Sequence, residues 1–250
     1  LAQRRAYEAA GIPGPRATEL ERAEGSGVAK SRFGGYDGKG VRFIESPADL
    51  DVPEGTWMWE ERVPFVRELS AMVVVQGAAV AVSDVVVTEN ADAVCDVTFP
   101  LEAHPAARET AIRAAKTFGS DGLFGVEMFE LADGRVFVNE IAPRPHNTGH
   151  WTMEGGCSQF EQHVRVAMGM PIDPAFANAP WTMANLLGGP EDDFRDGLWR
   201  ALAADPSARV HWYGKEARPG RKVGHVNVPG ADPERARRVR AAFLRTGTAE

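Results

Sequence analysis

The chain has 250 residues, 35 Asp and Glu against 28 Lys and Arg for a net charge of −7, and two cysteines. With 44% apolar and 25% charged residues it has ordinary globular composition, and at about 150 residues per domain it is long enough for one large or two small domains without disulfide staples. The negative balance disfavours non-specific nucleic-acid or anionic-membrane binding, and Cys95 and Cys157 lack Cys-x-x-Cys spacing, which argues against a zinc site and fits a reduced, cytoplasmic compartment.

Residues 1–10 read as a helix closed by Gly11 and followed by the Pro13/Pro15 breaker. This opening carries no apolar stretch of signal-peptide type and no initiator Met, so the expectation is a linker helix that continues an upstream domain. Residues 28–30 read as a strand entering the densest glycine cluster, 41–45 as a strand, 46–50 as a short helical turn and 57–61 as another strand. The apolar tract 69–87 has transmembrane length, but Gln76-Gly77 and Ser83-Asp84 interrupt it, so it reads as consecutive strands.

Residues 104–118 have a 3.6-residue apolar period (Ala107, Ile112, Ala115, Phe118) behind Pro105 and read as a helix. Residues 125–141 read as a hairpin and 158–168 as a helix. Two strands around a Pro-Gly turn are expected over 210–228, then an Arg-rich helix over 232–244. Strands and helices mix without strict alternation, so the class is α+β.

The hairpin carries the first chemical clue. A two-residue turn at Asp133-Gly134 places Glu127 directly opposite Glu140 and puts Glu127, Phe129 and Leu131 on one face with Val136, Val138 and Glu140. Two carboxylates facing each other on an apolar surface either share a proton or hold a cation, and Mg²⁺ suits that donor set. A solvated hairpin edge with two unrelated acids, or another register, fits the same spacing.

Three further segments collect charge. Lys30-Ser-Arg-Phe-Gly-Gly-Tyr-Asp-Gly-Lys-Gly40 can turn backbone N–H groups onto an anion, yet it matches neither the P-loop nor Gly-x-Gly-x-x-Gly, and a flexible turn explains it as well. Lys215, Arg218, Arg221 and Lys222 surround a turn, as a phosphate site or a solvated basic loop. Ala142-Pro-Arg-Pro-His-Asn-Thr-Gly-His-Trp151 holds Arg144, His146, Asn147 and His150 in a stiff loop just after Glu140.

Together with Ser158-Gln-Phe-Glu-Gln-His163, these segments resemble the N5-carboxyaminoimidazole ribonucleotide synthases, ATP-grasp enzymes of purine biosynthesis. The resemblance implies an α+β ATP-grasp fold in which two subdomains sandwich ATP, followed by a small β-rich domain. It divides the chain into a linker helix (1–17) left from a missing N-terminal domain, a lid subdomain (18–66), a core subdomain (67–186) and a C-terminal domain (187–250).

The implied reaction joins bicarbonate to aminoimidazole ribonucleotide with ATP, through carboxyphosphate. Carried over, Glu127 and Glu140 are the Mg²⁺ ligands. Lys30, Gly35, Tyr36, Asp37, Gly38, Lys39 and Gly40 contact ATP phosphates, and Glu60, Val63, Glu68, Asn139 and Glu140 complete the nucleotide site. Arg144, His146, Asn147 and Lys222 are the catalytic set, with Arg144, Lys215, Arg221 and Lys222 on the ribonucleotide. A homodimer without nucleic-acid or membrane partners is the further expectation. A nucleotide-binding module without turnover, or a formate-dependent glycinamide ribonucleotide transformylase, is the alternative.

Overall fold

We describe a computed structural model, in which residues 1–34, 40–91, 94–176, 179–188 and 194–244 are described. The apolar tract resolves into β5 (Phe65–Gln76), β6 (Ala79–Val82) and β7 (Val86–Ala91). β5 reads as a continuous apolar run because both of its faces are covered. Leu69, Ala71, Val73 and Val75 pack with four buried alanines of helix α2 (Pro105–Lys116), while Met72 and Val74 pack on the opposite side with Leu123 and Phe176. Further along that second face stand Ser70 and Glu68, and there the polar chemistry begins.

β5 pairs along its length with β9 (Gly122–Leu131), which turns back into β10 (Val136–Ala142). The sheet continues from β5 through β7 and β8 (Val94–Pro100) to β11 (Trp181–Leu187), β13 (Lys222–Pro229) and β12 (Arg209–Trp212). The core strands and the C-terminal strands therefore form one uninterrupted sheet. Helix α3 (Gln159–Ala167) lies on the face of Met72, and helices α4 (Phe194–Ala204) and α5 (Pro233–Leu244) cover the C-terminal strands. Gly197 lets α4 close on α5, since a Cβ there would stand 2.9 Å from the Phe243 ring.

A second sheet of four strands has the order β1 (Ala17–Glu19), β4 (Trp57–Glu60), β2 (Gly27–Ser31) and β3 (Val41–Ile44). Leu20, Ala29 and Ile44 form its small core. The predicted helical turn is a single 3-10 turn, Pro47–Asp49, with a capping box between Ser46 and Asp49. Helix α1 (Ala2–Ala9) spans the two sheets, because buried Arg4 reaches Glu60 on β4 and the carbonyls of Val138 and Asn139 on β10. Among the described residues, no helix is long and apolar enough to cross a membrane.

The loop between α4 and β12 is pinned to α5 by Asp205, whose carboxylate takes Arg235 Nε at 2.5 Å and the Ser207 hydroxyl at 2.7 Å. The Arg235 hydrogen bond, with help from Ser207, holds the Asp205 carboxyl at about 2, against an ordinary value of 3.8. A depressed carboxyl stabilises the fold fully above its unfolded value and loses that contribution as pH falls through the folded one. Asp205→Asn is therefore expected to cost about 1–2 kcal/mol at pH 7. In urea unfolding the gap from the parent should narrow below pH 4 and close near pH 2; a gap that persists there would show that the carboxylate charge is not its source.

Candidate functional site

The β9–β10 hairpin reaches the predicted pairing by an unpredicted route. Leu131 N–H bonds the Arg135 carbonyl at 2.9 Å and Gly134 turns with φ of 82°, so the loop holds three residues, not two. The ladder then runs Phe129 against Phe137 and Met128 against Val138, until a bulge at Asn139 brings Glu140 opposite Glu127. The longer loop and the bulge cancel, and the carboxylates face each other as expected.

The same bulge corrects the expected face. Val136 and Val138 lie with Met128 in the core beneath α2, not beside the acids, because one extra residue switches the side-chain alternation of β10. Around Glu127 the site face instead carries Ser70 on β5, paired with it, and Phe129, which stacks on Phe65 at 4.6 Å.

His146 closes over the acids. Its Nδ1 accepts from Thr148, whose backbone N–H is at 3.4 Å and whose hydroxyl is at 2.8 Å. The ring proton is therefore on Nε2, which donates to Glu127 Oε1 at 3.0 Å. Thr148 is held in turn by Ser70, hydroxyl to hydroxyl at 2.6 Å, with both groups buried. The imidazole can lie this close to the sheet only because residue 125 is glycine, since a Cβ there would stand 2.5 Å from His146 Cβ. Gly125→Ala is expected to cost about 1–3 kcal/mol in urea unfolding and to lift His146 off Glu127, read from the imidazole ¹⁵N shifts.

Glu127, Glu140 and His146 each present a ligand atom within 4.8 Å of the others. Burial raises the affinity of Glu127 for a proton, but the hydrogen bond from His146 and the positive charges of Lys30 and Lys222 outweigh it and keep Glu127 ionised. Glu140 moves the other way, raised by its protein surroundings and then by the Glu127 charge. The same charge, after burial, pushes Glu68 up to about 7. Glu127 and Glu140 resist joint ionisation and could together hold a cation, and a hard divalent ion fits the paired carboxylates better than the protonated face of His146.

Lys30 Nζ bonds Glu60 at 2.6 Å and Asn139 Oδ1 at 2.9 Å, so it bridges the small sheet to the bulge. Glu60 is buried, with one oxygen on Lys30 and the other on Arg4. Val63 is half-buried beside the entrance to β5, and Asn90 donates to Glu68 at 2.7 Å. Arg144 is exposed with its guanidinium on the Pro145 carbonyl, and Asn147 Nδ2 is buried with no hydrogen-bond partner among the described residues.

Lys222 opens β13, and its charge is felt at Glu127 and His150. Lys215 lies over the Tyr213 ring and Arg221 bonds the Glu216 carbonyl, so these two engage their own loop rather than the acids. Gly40 ends the glycine loop with φ of 90°, whereas Gly35, Tyr36, Asp37, Gly38 and Lys39 lie outside the described residues. Sequence reasoning passed over Arg4, Ser70, Thr148 and Gln159. Only Thr148 and Gln159 carried a signal, inside the segments 142–151 and 158–163 that the resemblance used.

A family model for the ATP-grasp domain matches residues 16–160, and one for the phosphoribosylaminoimidazole carboxylase C-terminal domain matches 182–239. The N5-carboxyaminoimidazole ribonucleotide synthase of Mycobacterium leprae is 43% identical over 233 residues, covering 83% of this chain and 52% of the relative. The chain thus spans about half the length of that relative.

Among solved structures, carboxyaminoimidazole ribonucleotide synthase from Aspergillus clavatus complexed with ATP superposes with a TM-score of 0.82 at 30% identity, over 97% of this chain and 71% of that one. A second structure of the Aspergillus clavatus enzyme, with ADP and 5-aminoimidazole ribonucleotide, gives a TM-score of 0.81 at 29% identity, over 97% of this chain and 71% of that one.

Proposed function

The chain belongs to the N5-carboxyaminoimidazole ribonucleotide synthase family of ATP-grasp proteins, and from that premise we propose that it carboxylates 5-aminoimidazole ribonucleotide with bicarbonate, converting ATP to ADP and phosphate. The observation that carries the reading is the cross-strand Glu127/Glu140 pair beneath His146, at the junction of the two sheets. It is supported by the family match over residues 16–160 and by relatives solved with ATP and with 5-aminoimidazole ribonucleotide.

In this reading a bicarbonate oxygen attacks the γ-phosphorus, ADP leaves, and the carboxyphosphate formed gives its carboxyl carbon to the substrate amine as phosphate departs. Glu127 and Glu140 hold Mg²⁺, which when bound offsets the charge of the nucleotide phosphates. Lys30 offers a cation at the same junction, oriented by Glu60 and Asn139 before any ligand arrives. His146 keeps its Nε2 proton on Glu127 and so fixes which oxygens of that carboxylate remain available.

Arg144, Asn147 and Lys222 supply donors for the carboxyl and ribonucleotide groups, and Asn147 Nδ2 is a buried donor with no acceptor among the described residues. Lys215 and Arg221 serve the substrate phosphate only by turning out of their present loop contacts. A site closed to water would protect a short-lived acyl phosphate.

The test is phosphate release from ATP with each carboxyl donor. Release that requires both bicarbonate and 5-aminoimidazole ribonucleotide supports the reading. Release that requires formate instead assigns the chain to another ATP-grasp ligase, and nucleotide binding with no substrate-dependent release removes catalysis from this chain.

A further inference from the structure

Gln159 is completely buried at the first turn of α3, and its side chain lies against the loop that carries His146. Its Oε1 accepts the His146 backbone N–H at 2.8 Å, and its Nε2 donates to the His146 carbonyl at 2.8 Å and to His150 Nδ1 at 2.9 Å. The orientation of this amide is dictated by chemistry, because a backbone N–H can only donate and a backbone carbonyl can only accept. Both of its donors and its acceptor are therefore committed, all of them to one loop.

The Gln159 main chain is equally fixed. Its N–H donates to Thr152 Oγ1 at 2.9 Å, and the Thr152 hydroxyl donates to the Gly149 carbonyl at 2.7 Å. Gly149 passes directly over the amide, where a Cβ would stand 2.7 Å from Oε1 and 2.6 Å from Met72 Cγ. Glycine is needed there for the loop to close on Gln159.

Because Nε2 can only donate, His150 Nδ1 must accept, and His150 is neutral with its proton on Nε2. Burial, followed by the positive charges around it, lowers the His150 imidazole to about 3, which agrees with that geometry. His150 then stacks on His225 at 4.9 Å, and His225 stacks on His211 at 4.5 Å. His211 and His225 stand on β12 and β13, and β13 begins with Lys222.

We infer that Gln159 is a positioning residue that grips both sides of the His146 peptide so the imidazole meets Glu127, and that ties the same loop through His150 to the strand bearing Lys222. The inference rests on His146 and Lys222 belonging to the active site as proposed above. Among the described residues the loop between Ala142 and Thr148 has few backbone bonds, Arg144 N–H to Ala142 at its start and Gly149 N–H to His146 beyond it. Removing the clamp thus leaves His146 held mainly by its ring contacts.

Gln159→Glu keeps the volume and the acceptor but removes both donors at neutral pH, and Gln159→Leu removes all three hydrogen bonds. The expected result for folded Gln159→Glu is a changed imidazole ¹⁵N signature for His146 and His150, assigned with His146→Gln. With it should come a fall of about 10²-fold in kcat for phosphate release and a KM for ATP within twofold of the parent. A merely structural glutamine would lower the melting temperature and leave both readouts unchanged. If Gln159→Leu does not fold, Gln159→Glu decides. If the parent shows no substrate-dependent release, the proposed activity fails while the histidine spectra still decide the clamp. Unchanged His146 resonances in folded Gln159→Glu would overturn it.

Discussion

Glu140→Gln is expected to lower substrate-dependent phosphate release by about 10²–10³-fold, roughly 3–4 kcal/mol of transition-state stabilisation, while leaving the apo fold no less stable than the parent. The two signs come from one arrangement. Glu140 stands directly across the ladder from Glu127, and its carboxyl is raised by desolvation and then by the Glu127 charge, which together outweigh the favourable charges of Lys30 and Arg144 nearby. A like-charged cross-strand pair costs the sheet about 0.2–1 kcal/mol, so a neutral isostere relieves strain.

If Glu140 holds the Mg²⁺-nucleotide as proposed, the stability order should reverse when that ligand is present, because ligand binding then favours the parent. Melting curves with chelator and with Mg²⁺-ATP, beside the phosphate assay, separate these effects. A variant that melts well below the parent in chelator would make Glu140 a structural residue. One that turns over normally would remove it from the metal site.

Most of the architecture was legible because strong local signals agreed with the tertiary fold. Pro105 behind His104 starts α2, Ser46 with Asp49 caps the 3-10 turn, and Gln76-Gly77 breaks the apolar tract where β5 turns into β6. β11 left no such mark. Thr182 to Leu186 are buried on both faces, so the strand has no alternation to read. α4 was equally hidden, since Gly197 interrupts its helical pattern and Trp199 points its largest apolar side chain into solvent at 79% exposure.

The candidate site divides along the same line. Glu127 and Glu140 were legible because strand pairing is a short-range rule, and the pair survived a wrong turn length only because a bulge restored the register. Ser70 and Thr148 were not, because their hydroxyls meet across 78 residues and nothing in local pattern encodes so distant a partner. Gln159 was not, because its three bonds to the His146 loop follow from how that loop folds back on α3 rather than from any local period. Gly125 and Gly149 belong with them. Each is a glycine demanded by close approach, with no turn and no positive φ to announce it.

Arg4 is the residue on which the bulge depends, and Arg4→Ala is expected to destabilise the chain by about 3–5 kcal/mol. Its Nε holds Glu60 at 2.6 Å, and its two terminal nitrogens take the carbonyls of Val138 and Asn139, the residues where β10 leaves register. Val138 N–H is likewise turned outward, onto the Pro13 carbonyl. The bulge thus gives up its own ladder bonds, and a buried guanidinium with five donors in a fixed fork replaces them.

Removing Arg4 strands two carbonyls and leaves Glu60 with Lys30 as its remaining salt-bridge partner among the described residues. Arg4→Lys should recover little of the loss, because an ammonium cannot meet Glu60 and two diverging carbonyls at once. Glu60→Ala should cost a similar amount by leaving Arg4 and Lys30 uncompensated. The double variant should then cost much less than the sum, since both changes break the same buried pair. Strict additivity in urea unfolding, or a loss under 1 kcal/mol for Arg4→Ala, would refute the network. Mg²⁺-ATP binding gives the second readout. If Arg4 sets the bulge that turns Glu140 toward Glu127, Arg4→Lys should weaken Mg²⁺-ATP binding in folded protein although Arg4 touches neither carboxylate.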